Sequence, residues 1–409
     1  MTKTVTLSHP TGILKGRVQL PASKSEANRA LIIAALAGGK SELQNLSEAN
    51  DTQLLQRLLN SDSDTIDAED AGTVMRFLTA YYAVTGQQKT LTGTDRMCQR
   101  PIKVLVEALQ ELGAGIAYLG EEGYPPLQIS GFKGSGKKHL KVRSDISSQY
   151  ISALIMVAPL LPDGLELELD GKISSRPYIE MTLALMKHFG VEASFEGNTI
   201  TVPHQKYQPA TFAVESDWSA ASYWYSMVAL AKEADVTLLG LREDSHQGDK
   251  AIVDIMRRLG VHTEFKQEGV RLTKKHAEKR VTFDFSNCPD LAQTIVALCA
   301  ALGIAVEMTG LESLRIKETD RIQALQIEVL SMGASLEERT PGIFQMNPTL
   351  LTNRELNFRT YEDHRMAMAF VPIALLQPIQ IQEPHVVRKS YPRFWEDLEK
   401  MGFEVTANE

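Results

Sequence analysis

The sequence contains few cysteines, which excludes a protein stabilised by a disulfide framework or by a structural zinc ion. Its three cysteines, Cys98, Cys288 and Cys299, are too few and too scattered for a disulfide framework or a zinc site. It also lacks an apolar run of the ~18 residues that a membrane span needs. The N-terminal segment has no apolar core and no arginine-rich amphipathic pattern, so we expect no secretory or organellar signal. These absences predict a reduced, cytoplasmic protein without a membrane partner.

The sequence also lacks an excess of basic residues. It contains 43 Lys and Arg against 51 Asp and Glu, a net charge of -8. Nucleic-acid-binding proteins usually have the opposite balance, so we expect no nucleic-acid partner. Hydrophobic residues make up 43% and charged residues 23%, which is typical of an ordered globular chain. The net charge does not exclude a local basic pocket.

An amphipathic helix that ends in glycine recurs along the chain. The glycines stand at positions 113, 190, 260, 333 and 402, between 69 and 77 residues apart. A weaker copy without a glycine covers 51–60. Glycine suits the left-handed C-cap of a helix, and so long a period accommodates two helices and several strands. The pattern predicts six units of about 70 residues that fill the chain.

Apolar, alanine-rich helices are a second recurring element, and helices of this composition must be buried. They are predicted over 25–36, 148–158, 219–231 and 290–301. Strands, for example 165–170 and 236–239, alternate with the helices. Buried helices on sheets, repeated six times, predict an α/β fold whose units group into two lobes.

One segment matches a phosphate-binding loop but lacks its context. Residues 131–138 read G-x-x-x-x-G-K, with Lys138 where Ser or Thr would bind Mg²⁺. Residues 139–143 alternate like a strand, whereas the motif requires a helix. We interpret the segment as a solvated hairpin turn.

Cations stand near the starts of several helices, where the helix dipole is already positive. Such positions make sense if an anion binds among them, whereas solvated helix ends are the alternative. The cations are Lys24, Arg29, Arg76, Arg100, Lys317, Arg321, Arg365 and Lys389. If the helix ends converge, they form an anion pocket in an acidic protein.

Two carboxylates accompany these cations. Asp290 precedes an apolar helix, either as an N-cap or as a catalytic base, and Ser147 has the same ambiguity between cap and ligand contact. Glu318 lies beside Lys317 and Arg321, which favour its ionised form, while burial would oppose it. Asp290 and Glu318 are therefore a candidate base and acid. The sequence has no metal-ligand spacing, so we expect no metal.

In their order along the chain, these segments resemble the 5-enolpyruvylshikimate-3-phosphate synthase family over essentially the whole length. The most specific pieces are IKETDR at 316–321 and DHRMAM at 363–368. The resemblance implies a two-lobed enolpyruvyl-transferase fold, with three βαβαββ units in each lobe. It implies one lobe of 22–215, a second of 1–21 and 216–409, and an active site in the cleft between them.

The resemblance also implies an activity of the shikimate pathway of aromatic amino-acid biosynthesis. The enolpyruvyl group of phosphoenolpyruvate is transferred to the 5-hydroxyl of shikimate 3-phosphate through a tetrahedral intermediate, and phosphate is released. The implied enzyme is a monomer that needs neither a cofactor nor a metal. Its implied catalytic residues are Asp290 as base, Glu318 as proton donor, and Lys24.

The implied binding residues follow from the same motifs. Those for shikimate 3-phosphate are Lys24, Ser25, Arg29, Ser147, Ser148, Gln149, Ser175, Tyr178, Asp290, Ser313 and Lys317. Those for phosphoenolpyruvate are Lys24, Gly72, Arg100, Gln149, Arg321, Arg365 and Lys389. Additional residues implied near the site are Thr73, Arg76, Asp217 and His364.

Four positions depart from the family pattern. Asp70 stands where Asn is common and Phe77 where Pro is common, on either side of Gly72. These two changes leave phosphoenolpyruvate affinity and sensitivity to the inhibitor glyphosate open. Ser313 replaces a common Asn in the shikimate-phosphate site, and Ala22 replaces a usual Gly.

Two other functions remain as alternatives. The sister enzyme transfers enolpyruvyl to UDP-N-acetylglucosamine and has a reactive loop cysteine before an Arg-Pro pair. Cys98 before Arg100-Pro101 resembles that arrangement, although its spacing is shorter. The second alternative is a non-catalytic binder of phosphorylated metabolites, against which the intact Lys24, Asp290 and Glu318 argue.

Overall fold

Helices and strands alternate throughout the protein, as the two recurring helix types require. The structure is a computed structural model that describes residues 3–144, 147–171, 173–348, 351 and 354–408. Its α-helices are α1 (Lys24–Leu36), α2 (Asn50–Leu59), α3 (Gly72–Val84), α4 (Lys103–Glu111), α5 (Ser148–Val157), α6 (Arg176–His188), α7 (Trp218–Leu230), α8 (Ile252–Arg258), α9 (Ala292–Leu302), α10 (Arg321–Ser331), α11 (His364–Phe370) and α12 (Phe394–Lys400).

The strands are short. They are β1 (Thr4–Ser8), β2 (Ile13–Gln19), β3 (Glu42–Gln44), β4 (Thr65–Asp67), β5 (Gln88–Thr92), β6 (Ala114–Tyr118), β7 (Leu127–Phe132), β8 (His139–Arg143), β9 (Leu165–Asp170), β10 (Ser194–Glu196), β11 (Thr199–Val202), β12 (Thr211–Ala213), β13 (Glu233–Leu239), β14 (Val261–Lys266), β15 (Gly269–Lys274), β16 (Arg280–Asp284), β17 (Ala305–Thr309), β18 (Ser335–Thr340), β19 (Ile343–Asn347), β20 (Leu356–Phe358), β21 (Ile379–Gln382) and β22 (Glu404–Asn408).

The glycine-ended helices end where the sequence predicts. Helices α4, α6, α8, α10 and α12 each end two residues before their glycine. All five glycines have positive φ, between 81° and 103°, a conformation that glycine adopts without the clash of a Cβ atom. Helix α6 begins at Arg176 and includes the expected site residue Tyr178, whereas α10 begins upstream of its apolar run, at the expected site residue Arg321.

The apolar helices are buried, as predicted. Every residue of α7 except Ser219 is buried, and so are residues 292–300 of α9. Asp290 lies before α9, in the 3₁₀-helix Pro289–Leu291, and caps neither helix through its side chain. Its interpretation as an N-cap is therefore wrong, because other partners take its carboxylate.

Five four-stranded sheets of the described chain share one topology, in which a parallel pair is followed by two antiparallel neighbours. Their strand orders are β4-β5-β7-β6, β8-β9-β11-β10, β2-β13-β15-β14, β16-β17-β19-β18 and β20-β21-β1-β22. A sixth sheet pairs only β3 with β12, in parallel. Six sheets agree with the six predicted units, although one unit has a reduced sheet.

The chain divides into two units, each with a hydrophobic core of its own. The discontinuous unit consists of Met1–Ser23, Glu48–Asn50 and Glu215–Glu409. The inserted unit consists of Lys24–Ser47 and Asp51–Val214. Each unit contains three of the six sheets.

The segment 131–138 connects two sheets and is not a hairpin. Strand β7 pairs with β5 and β6, whereas β8 pairs in parallel with β9. The strand predicted over 139–143 is β8. The hairpin prediction was wrong because turn residues indicate a change of direction and not which strand pairs next.

No helix in the described part of the chain is long and apolar enough to cross a membrane. Within the same residues, no group of three or more His, Cys, Asp and Glu side chains could hold a metal ion. Metal-free and cofactor-free chemistry stays a prediction.

Candidate active site

Helix starts in the inserted unit hold many of the expected site residues. These residues lie at or near the starts of α1, α3, α5 and α6, and Arg100 follows the 3₁₀-helix Met97–Gln99. We call this group the inserted-unit cluster; its members are Lys24, Ser25, Arg29, Gly72, Thr73, Arg76, Arg100, Ser147, Ser148, Gln149, Ser175 and Tyr178.

Arg29 links three helices of this cluster. Its side chain is buried, and Nε donates to Thr182 Oγ1 at 2.7 Å. Nη2 donates to Ser152 Oγ at 3.0 Å, and Nη1 donates to the backbone oxygen of Ser25 at 2.9 Å. All three acceptors are neutral oxygens, which orient the guanidinium without cancelling its charge.

Aromatic rings and burial complete the surroundings of Arg29. Its guanidinium carbon lies 5.3 Å from the ring centroid of Phe77 and 5.7 Å from that of Tyr178. Burial lowers the pKa of Arg29 to about 10, although the Tyr178 and Glu26 side chains oppose the shift. The side chain therefore remains cationic at neutral pH. Phe77, which departs from the family pattern, contacts this arginine.

Gly72, the first residue of α3, lies against two buried arginines. A Cβ atom here would lie 2.7 Å from Arg100 Nη2 and 2.8 Å from Arg76 Nη1. Arg76 Nη1 donates to the Gly72 oxygen at 3.1 Å, and Arg100 Nη1 donates weakly to the Asp70 oxygen at 3.4 Å. Arg100 Nε has no hydrogen-bond partner in the described residues. Two buried guanidinium groups at a helix N-terminus are suited to an anion.

Helix α5 is joined to α3 through polar side chains. Ser147 caps α5, accepting from the Gln149 backbone N–H at 3.3 Å, so the N-cap interpretation of Ser147 is confirmed. Gln149 Nε2 donates to Thr73 Oγ1 at 3.3 Å. Ser148 is buried in the first turn. Ser175 precedes α6 with φ of 56° and makes no side-chain cap bond.

Lys24, the first residue of α1, forms an ion pair with Asp51. Nζ lies 3.0 Å from Asp51 Oδ2, with 14% of the lysine side chain and 4% of the aspartate side chain exposed. Sequence reasoning placed Asp51 in an amphipathic helix and missed this contact. Asp51 lies in the first turn of α2, where an acidic residue also fits an ordinary helix start.

The discontinuous unit contains a second cluster, organised around buried Arg321. We call it the discontinuous-unit cluster; its members are Asp290, Lys317, Glu318, Arg321, Asp363, His364, Arg365 and Lys389. Arg321 Nη1 donates to Asp290 Oδ1 at 2.9 Å and Nη2 to Glu318 Oε2 at 2.8 Å. Its Nε donates to Asp363 Oδ2 at 2.6 Å. One guanidinium thus holds the candidate base, the candidate acid and a third carboxylate.

Further cations surround Asp290. Arg365 Nη2 donates to Asp290 Oδ2 at 3.0 Å, and Lys317 Nζ lies 3.8 Å from Oδ1. Burial alone would raise the pKa of Asp290, but Arg365, Lys317 and Arg321 outweigh burial and hold the pKa well below its usual range. Asp290 is therefore ionised at neutral pH. Lys389 Nζ approaches Glu318 Oε1 at 3.9 Å.

The surroundings of three further expected residues are as follows. His364 is buried, with Nδ1 3.7 Å from Asp363 Oδ1. Asp217 caps α7, accepting from the Ser219 N–H at 2.7 Å. Ser313 is half-buried in the 3₁₀-helix Glu312–Ile316, and no hydrogen bond in the described residues joins its side chain to Asp290.

Sequence reasoning also missed neutral partners and one carboxylate of the two clusters. Ser152 and Thr182 bind Arg29, and each lies one helical turn after an expected residue. Helical spacing was the available signal for both. Asp363 belongs to the motif at 363–368, but the sequence pattern predicts no role for it.

Comparisons with known proteins agree with the motifs. The profile of EPSP synthase (3-phosphoshikimate 1-carboxyvinyltransferase) matches residues 9–61 and 54–398. A 3-phosphoshikimate 1-carboxyvinyltransferase of Bacteroides fragilis (strain YCH46) is 49% identical over 407 residues, covering 98% of this chain and 99% of that protein. Its counterpart of Pasteurella multocida (strain Pm70) is 34% identical over 426 residues, covering 95% and 96%.

A solved structure supports the fold. The EPSP synthase of Acinetobacter baumannii superimposes with a TM-score of 0.80 at 20% sequence identity, and the match covers 100% of both chains. Together with the repeated sheets, this likeness confirms the predicted fold class. The profile match and the full-length relatives establish the family: the chain belongs to the EPSP synthase family of transferases.

Proposed function

We propose that this protein transfers the enolpyruvyl group of phosphoenolpyruvate to the 5-hydroxyl of shikimate 3-phosphate and releases phosphate. The observation that carries the proposal is the bonding of Arg321 to both Asp290 and Glu318. A base and an acid on one buried cation are what an addition followed by an elimination needs. Family membership supplies the identity of the substrates.

The inserted-unit cluster supplies the proposed shikimate 3-phosphate site. Arg29 is already oriented by neutral oxygens, so a substrate oxygen or phosphate completes its surroundings. Ser175 and the helix starts of α5 and α6 offer hydroxyl and backbone donors to a phosphate. Lys317 of the discontinuous unit contributes a further cation.

The cations around Gly72 and Arg365 form the proposed phosphoenolpyruvate site. Arg100 is buried, its Nε donor has no partner among the described residues, and Gly72 allows close approach to it. Arg321, Arg365 and Lys389 provide the other cations of this proposed site. Arg365 Nη2 is shared with Asp290, and the substrate anion competes with that contact.

In the proposed mechanism Asp290 removes the proton of the 5-hydroxyl as the oxygen attacks C2 of phosphoenolpyruvate. Glu318 gives a proton to the methylene carbon, and a tetrahedral ketal forms. Glu318 then takes a proton back as phosphate leaves. An anion bound to Arg365 and Arg321 offsets the charges that lower the pKa of Asp290, so substrate binding makes this carboxylate a stronger base.

The proposal extends to organisation. We propose that lobes of 22–215 and of 1–21 with 216–409 bind the two substrates in the cleft between them, in a cytoplasmic monomer. Small-angle scattering is expected to show compaction on addition of shikimate 3-phosphate, and unchanged scattering would contradict lobe closure. Sedimentation is expected to give a mass near 45.3 kDa.

Phosphate release from the purified protein tests the activity. Shikimate 3-phosphate with phosphoenolpyruvate is expected to release phosphate, and UDP-N-acetylglucosamine as acceptor is expected to release none. Release with neither acceptor would overturn the enzyme proposal. A substitution of Cys98 distinguishes the proposed reaction from that of the sister enzyme. The Cys98 side chain is half-buried, with Sγ 3.7 Å from the Gly93 oxygen. Cys98→Ser is expected to retain full activity, whereas complete loss would favour the sister reaction.

A further inference from the structure

A buried carboxylate outside the expected site contacts it through one hydroxyl. Asp249 lies in the 3₁₀-helix Gly248–Ala251 and is only 2% exposed. The Ser219 hydroxyl donates to Asp249 Oδ2. Arg365 Nη2 in turn donates to Ser219 Oγ at 3.4 Å. Asp249, Ser219 and Arg365 therefore form a chain that ends at the substrate-binding cation.

The local fold holds Asp249 opposite Ser219. Gln247 Oε1 accepts from the Trp218 N–H at 3.1 Å, and Gln247 Nε2 donates to the Ser216 oxygen at 2.8 Å. These bonds fasten the segment before Asp249 to the first turn of α7. Ser219 is the one residue of α7 that is not buried.

The cost of burying Asp249 indicates that its carboxylate has a use. Burial raises the pKa of Asp249 to about 7, and the Asp290 charge adds to the shift while Arg365 opposes it. Asp249 Oδ1 has no hydrogen-bond partner in the described chain. An apolar residue would avoid this cost, so packing alone does not account for the carboxylate.

The chemistry of a hydroxyl explains what Asp249 adds. A serine hydroxyl has one proton and two lone pairs, and the proton rotates to whichever acceptor is present. With its proton on Asp249, Ser219 keeps its lone pairs towards Arg365. Arg365 Nη2 also bonds Asp290 at 3.0 Å, a contact that a substrate anion competes with. Ser219 is the neutral contact that persists during that exchange.

We propose that Asp249 is a positioning residue that acts through Ser219 to hold the Arg365 guanidinium for the anionic group of phosphoenolpyruvate. The inference rests on the proposed function and deepens it, because it names the residues that hold Arg365 in position for phosphoenolpyruvate. Asp249 itself touches no substrate.

A double-mutant cycle tests the proposal in the full-length protein. Ser219→Ala is expected to raise KM for phosphoenolpyruvate about fivefold, the value of one modest hydrogen bond, with KM for shikimate 3-phosphate nearly unchanged. Asp249→Asn is expected to raise the same KM about threefold, with no further rise in the Ser219→Ala background. Ser219→Thr, which retains the hydroxyl, is expected to restore the wild-type KM.

Asp397→Asn is the matched control, because Asp397 is a buried carboxylate of the same unit that bonds Tyr391 and Lys400. It is expected to lower the melting temperature without changing KM. Equal effects of Asp249→Asn in both backgrounds would overturn the proposal, as would an unchanged KM in Ser219→Ala. If Asp249→Asn fails to fold, the Ser219→Ala and Ser219→Thr pair decides. Failure of the wild type to release phosphate would instead overturn the proposed function.

Discussion

Two buried arginines, one in each unit, have opposite surroundings. Arg29 is 2% exposed and bonds three neutral oxygens, whereas Arg321 is 1% exposed and bonds three carboxylates. Burial lowers the pKa of Arg29 to about 10. Burial acts in the same direction on Arg321, but Asp363, Glu318 and Asp290 outweigh it and raise the pKa.

From this difference we expect the two clusters to have different tasks. A buried cation with neutral partners retains a charge that an incoming anion can neutralise, so Arg29 suits substrate binding. A cation already surrounded by carboxylates gains less from an anion, and it fixes the positions of an acid and a base. We therefore expect binding of shikimate 3-phosphate to depend chiefly on the inserted-unit cluster and turnover on the discontinuous-unit cluster.

The largest expected effect tests that division directly. Glu318→Gln is expected to lower kcat by about 10²- to 10⁴-fold, the usual contribution of a positioned acid or base. Calorimetric binding of shikimate 3-phosphate is expected to stay close to wild type, because the inserted-unit cluster is unchanged. Exposed Glu312→Gln is the control and is expected to be neutral. Unchanged turnover in Glu318→Gln would remove this residue from proton transfer.

The second prediction compares the two arginines by stability. Arg321→Met is expected to lower the free energy of unfolding by about 3–5 kcal/mol, because three carboxylates lose their shared cation. Arg29→Met is expected to cost about 1 kcal/mol, since Thr182 and Ser152 remain bonded to each other at 3.0 Å. Denaturant unfolding without ligand measures both, with exposed Arg257→Met as control. Equal losses would break the contrast between the clusters.

The third prediction concerns pH and the crowded carboxylates of the discontinuous unit. Folded Asp249 keeps its proton up to about pH 7, whereas the unfolded chain releases it near its ordinary value of 3.8. The unfolded state therefore binds fewer protons between these values, and wild-type stability falls as pH rises towards 7. Asp290 has a lowered pKa, so its contribution is lost only as pH falls below about 4.

Asp249→Asn removes the first of these pH dependences. The stability of the variant relative to wild type is expected to rise by on the order of 2 kcal/mol between pH 5 and pH 8. Denaturant unfolding at several pH values measures it. Asp254→Asn, an exposed change on α8, is the control. Parallel curves for wild type and Asp249→Asn would contradict the prediction.

The smallest expected effect lies in the inserted unit. Gly72→Ala places a methyl group within 3 Å of the Arg100 and Arg76 guanidinium groups, which must move. We expect KM for phosphoenolpyruvate to rise about tenfold, because displaced cations bind the anion less well. Gly120→Ala is the control, since its Cβ would make only an ordinary contact with Pro126 at 3.7 Å. An unchanged KM would separate Gly72 from the anion site.

Local features were predictable from the sequence. The five helix-ending glycines and the buried helices depend on neighbours a few residues away, and so do the cations at helix starts. Ser147 as a cap was predictable for the same reason. The motifs around Lys317 and Arg365 carried the family resemblance, and the profile match confirms it.

Contacts between distant segments were not predictable. Ser152 and Thr182 lie 123 and 153 residues from Arg29, and Asp249 acquires its partner from another element. The hairpin predicted at 131–138 was wrong because turn residues do not specify which sheet the next strand joins. The sequence allowed Asp290 to be either an N-cap or a catalytic base. Its bonds to Arg321 and Arg365 exclude the N-cap.

Periodicity and motifs were sufficient to predict the six-unit α/β architecture, the family and the charged residues. Which of these charges neutralise one another depends on contacts that form only in the folded chain. Arg29 and Arg321 both stand near helix starts in the sequence and look equivalent there. Folding buries one among hydroxyls and the other among carboxylates, and the energy of a buried charge depends on the groups within a few ångströms of it.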